Sequence, residues 1–146
     1  MGRRLNIMRK ESWPEDLHYK ILEIKDKPFA WGTHDCFCVS SELIESMTGV
    51  DPAKDYRGKY STAQGMLKLI ISQGLTDFLS LADKICSDNG FKEVNLKFAQ
   101  RGDVCYFDID GGAFGIVNHC GLYCIVIGES GLKKLSVMEA KKAWHI

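Results

Sequence analysis

Several features are scarce in these 146 residues. A net charge is absent, because 19 lysines and arginines balance 19 aspartates and glutamates. No overall field therefore draws the chain to nucleic acid or to an anionic membrane. Long apolar runs are missing too. None approaches the ~20 residues of a membrane-spanning helix. The basic start, MGRRLNIMRK, lacks the following apolar core of about 7 or more residues that a secretory signal needs. The expectation is a chain with no signal peptide and with neither nucleic acid nor membrane as partner. No repeat, low-complexity tract or linker divides the sequence. The length suits one core better than two, so residues 1–146 read as a single domain, with 1–12 as a flexible basic arm.

Cysteine is not scarce. Cys36, Cys38, Cys86, Cys105, Cys120 and Cys124 are present, but the CxxC spacing of structural metal sites is not. Without a signal peptide, reduced thiols are the expectation. Residues at i and i+2 on a helix point apart, so Cys36 and Cys38 are not expected to chelate together. Cys120 and Cys124 on one strand would be separated by about 13 Å at ~3.3 Å per residue. Zinc needs its sulfurs within about 4 Å of one another. The expectation is no metal and no cofactor.

The first half has helical periodicity. Residues 14–25 open on Pro14, Glu15 and Asp16, which suit a helix start, and carry the stripe Leu17, Ile21, Ile24. After the loop Phe29–His34, Asp35 is a candidate N-cap (Thr33 is the alternative) for a helix carrying Cys36, Val39, Leu43 and Met47. Gly49 stops that helix. Helices over 62–73 and 77–86 follow. From Val104 the pattern changes to short β-rich runs, 104–107, 114–117, 122–127 and 132–137, separated by turn-forming residues. The tail MEAKKAW reads as a last helical turn or two. Helices first and an antiparallel meander second make an α+β domain.

Cys36 sits where loop turns into helix. Exposed N–H groups and the helix dipole at such a point favour the thiolate, the reactive form. The competing reading is a small core residue, since Cys36 shares its stripe with Val39, Leu43 and Met47.

The combined order of Trp31-Gly32, Asp35-Cys36, Thr48-Gly49, Asp51-Pro52 and Arg57-Gly58-x-Tyr60 resembles a family of phage and prophage proteins. Arg101-Gly102-Asp103-Val104, Gly115-Ile116-Val117, Gly131-Leu132 and Ala143-Trp144 extend the likeness over nearly the whole chain. That family looks like a branch of the NlpC/P60 cysteine peptidases. The resemblance implies a compact papain-like fold, with N-terminal helices on a C-terminal antiparallel sheet. It also implies Cys36 as nucleophile toward amides of peptidoglycan stem peptides, and a place in the bacterial host's cytoplasm or in the virion.

The same comparison exposes a departure. The peptidases carry a His at the start of the strand that reads here Ala113-Phe114-Gly115-Ile116. An amide's leaving amine needs a proton, and alanine has none to give. Two other histidines are candidates for the base. His34 lies two residues before the thiol. His119 lies about 20 Å beyond Ala113 along a straight strand. Asp35 beside the sulfur opposes ionisation. Trp31 is a candidate cleft wall. Arg57 reads either as an anion-binding group or as a tie within its own loop. Two functions follow: a cell-wall amidase or endopeptidase, and a catalytically inactive module that binds tail proteins during phage assembly.

Overall fold

A computed structural model describes residues 7–118 and 120–146. Four helices come first: α1 (Trp13–Ile24), α2 (Cys36–Thr48), α3 (Ala63–Ser72) and α4 (Phe78–Asp88). Six strands follow: β1 (Lys92–Val94), β2 (Val104–Phe107), β3 (Ala113–Val117), β4 (Tyr123–Gly128), β5 (Gly131–Ser136) and β6 (Lys142–His145). They form one antiparallel sheet in the order β1-β6-β2-β3-β4-β5. The molecule is thus a mixed α/β single domain with the helices before the sheet. Among the described residues no helix is long and apolar enough to cross a membrane.

The helix boundaries have local causes. Asp35 is extended and its carboxylate accepts the Cys38 N–H, so α2 begins at Cys36. The Gly49 backbone is left-handed, with φ 83°, and its N–H closes on the Glu45 carbonyl. Thr62 caps α3, and Asp77 with Ser80 forms a capping box on α4. α2 is the central helix. It packs against α1 and, through Phe37, against the sheet, where the Phe37 and Phe114 rings lie 5.2 Å apart. Such a buried ring contributes about 1.5–3 kcal/mol. β2 and β3 are buried at every position, which is why VCYF and AFGIV show no polar alternation.

Three regions differ from the sequence reading. The tail forms only a short 3₁₀ turn at Val137–Glu139, and Lys142–His145 is a strand. Its residues pair with β2, Val104 opposite Trp144, and with β1, Glu93 opposite Trp144. Here the need to complete the sheet beside β2 outweighs the helical bias of Glu, Ala and Lys. β1 was not foreseen. The segment from Ile7 to Ser12 is tied to the body, with the Ile7 N–H on the Asn89 carbonyl and the Lys10 N–H on the Met47 carbonyl. The rest of the expected flexible arm, residues 1–6, lies outside the described residues.

Candidate functional site

The loop before α2 is built around one carboxylate. Asp35 is 1 % exposed and accepts three hydrogen bonds: the Gly32 N–H at 2.8 Å, the Cys38 N–H at 2.8 Å and the Tyr60 hydroxyl at 2.5 Å. The Gly58 N–H also reaches the Gly32 carbonyl, at 2.8 Å. Gly32 has φ 86°, and a Cβ there would run into the Tyr60 carbonyl oxygen. Trp-Gly, Asp-Cys and Arg-Gly-x-Tyr are therefore three parts of one local structure. Arg57 belongs to it. Its Nε and Nη2 meet both Asp51 oxygens at 3.2 and 3.0 Å, Nη2 also donates to the Cys38 carbonyl, and Nη1 lies 3.4 Å from Glu42. The guanidinium thus ties its own loop to α2, and it stands apart from the cleft beside Cys36.

Cys36 is the first residue of α2 and lines a cleft of about 590 Å³. Phe29 and Trp31 form one wall, packed edge to face with ring centres 5.1 Å apart. Ile109, Asp110, Gly112 and Ala113 form another. The β4–β5 hairpin closes the far side with Val126, Ile127, Gly128, Glu129, Ser130 and Lys133. Gly112, with φ 120°, leaves room beneath the cleft for the buried Tyr106 hydroxyl, which a Cβ at that position would strike.

The sulfur's electrostatics oppose ionisation. Burial pushes the Cys36 thiol up to about 12. The backbone N–H of Phe114 pulls the other way, as do those of Phe37 and Cys36, while the Asp35 carboxylate adds to the rise. The expected lowering by the helix terminus is thus overruled: desolvation outweighs the dipole. At neutral pH the thiol is therefore held in its protonated form. Cys38 points elsewhere, with its sulfur 3.5 Å from the Tyr60 hydroxyl, and burial raises it to about 12 as well. All six cysteines are free thiols, and only Cys120 is exposed. Among the described residues no group of three or more His, Cys, Asp or Glu side chains is placed to hold a metal ion.

Ala113 lines the same cleft as Cys36, so the position where the resemblance expects the base is beside the thiol and empty of an imidazole. His34 does not substitute for it. Its turn closes back on Ala30, and its ring meets the Ile24 carbonyl at the end of α1 rather than the cleft. His119 lies outside the described residues. His18 stands on α1 with its ring centre 5.5 Å from that of Tyr19.

The imidazole–carboxylate pair that the sequence reading missed is His145 with Asp103. His145 Nδ1 is 2.9 Å from Asp103 Oδ1, and the fully buried Asp103 also accepts the Gln100 N–H. The pair sits by Val117, whose N–H donates to the Asp103 carbonyl. That is the opposite end of β3 from Ala113, about 13 Å along the strand. Pairing of β6 with β2 brings the two residues together, and no local spacing signals it.

Comparison with known proteins adds a family and no assigned activity. No curated protein matches the chain. Residues 8–146 match the family model described as Domain of unknown function (DUF6950), and the chain belongs to that family.

Proposed function

We propose that this chain is a papain-like domain of phage or prophage origin that no longer hydrolyses amides and keeps its cleft as a docking site in tail assembly. One observation carries the reading: Ala113 stands beside Cys36 in the cleft, and among the described residues no imidazole lines it. A thiol raised to about 12 is a weak attacking group. An amide's leaving amine would also find no proton donor there. The elaborate ties around Asp35 hold the loop in shape without calling on the sulfur.

A second reading, the cell-wall amidase or endopeptidase, is favoured by the cleft itself. The N–H groups of Phe114 and Phe37 bear on the sulfur, as donors to a developing oxyanion would. Purified stem-peptide fragments of peptidoglycan separate the two. The docking reading expects no release of product above that seen with Cys36→Ala. Cys36-dependent cleavage would overturn it in favour of the hydrolase, and His119→Ala would then show whether that residue serves as base.

A further inference from the structure

Among the described residues, Arg101 and His34 each bury a side-chain nitrogen without a hydrogen-bond partner, and of the two His34 lies in the loop that leads to Cys36. It is 7 % exposed, and its Nε2 is buried with no hydrogen-bond partner. The residue closes a tight turn: the His34 N–H donates to the Ala30 carbonyl at 2.7 Å, and the Ala30 N–H donates to the His34 carbonyl at 3.2 Å. The same turn carries Phe29 and Trp31, the aromatic wall of the Cys36 cleft. Seating His34 and holding that wall are therefore one structural event.

The charged groups around the ring come from three places. Lys27 lies just past α1, Glu42 is on α2, and Asp35 is on the same loop. Neither carboxylate is unengaged. Glu42 lies 3.4 Å from Arg57 Nη1, and Asp35 already holds three donors. A protonated ring would have to stay desolvated near Lys27 without a carboxylate of its own.

We propose that protonation of His34 loosens the Ala30–His34 turn from its seat and opens the aromatic wall of the Cys36 cleft, so that mild acid gates the site. The gate acts on the wall, so it operates whether the cleft binds or hydrolyses. Burial holds the His34 imidazole below its ordinary value and Lys27 reinforces it, while Glu42, the Ile24 carbonyl and Asp35 only partly offset it. The released turn therefore takes up the proton first as pH falls. The closed form is fully favoured above about pH 6.5 and loses ground below it.

Dithiodipyridine, a disulfide reagent that attacks thiols even in acid, reads the gate in the full chain. The measured quantity is the labelling rate at Cys36 divided by that at the exposed Cys120. Between about pH 7.5 and about pH 5 the ratio is expected to rise about tenfold in the wild type and to stay level in His34→Gln, whose side chain does not titrate. Hydrogen exchange of the wild-type Ala30 and His34 amides provides a readout that needs no variant. Both amides should exchange faster in acid, relative to amides of α2, once the pH dependence of free-chain exchange is removed. A level wild-type ratio, an equal rise in His34→Gln, or unchanged protection at Ala30 and His34 would each overturn the gate.

Discussion

At the Ala113 end of β3 a thiol lines a cleft with no described imidazole beside it. At the Val117 end an imidazole is held by a buried carboxylate, and the thiol nearest in electrostatic effect, Cys124, is sealed in the core. The Cys105 neighbour and burial both drive Cys124 upward, and the Asp103 charge adds to that. The sheet thus carries the parts of thiol chemistry at two separate ends. A buried Asp anchors each end. Asp35 organises a loop around the cleft, whereas Asp103 joins the start of β2 to the last strand. The difference teaches that a buried carboxylate and a histidine are not by themselves marks of catalysis. What counts is whether a cleft, a thiol and a proton carrier share one place.

The contrast is broken most sharply by pH. With its thiol at about 12, Cys36 should react with iodoacetamide about tenfold faster per pH unit, or about 10³-fold between pH 7 and pH 10, without levelling. Peptide mapping of timed reactions measures this. A plateau near the ordinary thiol value of about 8.5 would show an activated sulfur and remove the main electrostatic argument for a silent site. Next in size is the loss of each anchor. Asp35→Ala leaves the Gly32 and Cys38 N–H groups and the Tyr60 hydroxyl buried without their acceptor, and should cost roughly 3–5 kcal/mol in urea unfolding. Asp103→Ala strands one part-buried N–H and a half-exposed imidazole, and should cost less, about 1–3 kcal/mol. Equal losses would mean that the cleft loop is no more dependent on its carboxylate than the sheet end is.

How much of this was legible in sequence follows the range of each interaction. Asp35 as cap, Gly49 as stop and the β2–β5 meander depend on neighbours in the chain, and their residues announce them. Cys36 at the helix start was equally readable, and so was Trp31 as a wall. β6 was not, because Lys142–His145 is a strand only through its pairing with Val104–Tyr106. Glu129, Ser130 and Lys133 reach the cleft only because the β4–β5 hairpin folds toward α2, which no local pattern encodes. The direction of the thiol's shift stayed open between two readings for a related reason. The dipole at a helix start can be inferred from local sequence, but desolvation depends on what the rest of the chain places over the sulfur.

The smallest expected effect is also the most direct test of the contrast, since it gives one end of β3 what the other end has. Ala113 lines the cleft with Cys36, so the larger side chain of Ala113→His is placed at the cleft wall. An imidazole there would offer the sulfur a cationic partner in place of bare burial. The thiol should fall by about one unit, and alkylation at neutral pH should rise about tenfold. The gain should hold in mild acid, where the ring stays protonated, and fade between about pH 6 and about pH 8, as the neutral ring ceases to offset the thiolate's charge. Amide cleavage need not follow, because the new ring would have no orienting partner such as Asp103 gives His145. If Ala113→His folds and leaves the Cys36 alkylation rate unchanged, the two side chains do not share the cleft in the way required here, and the missing imidazole ceases to explain a silent site.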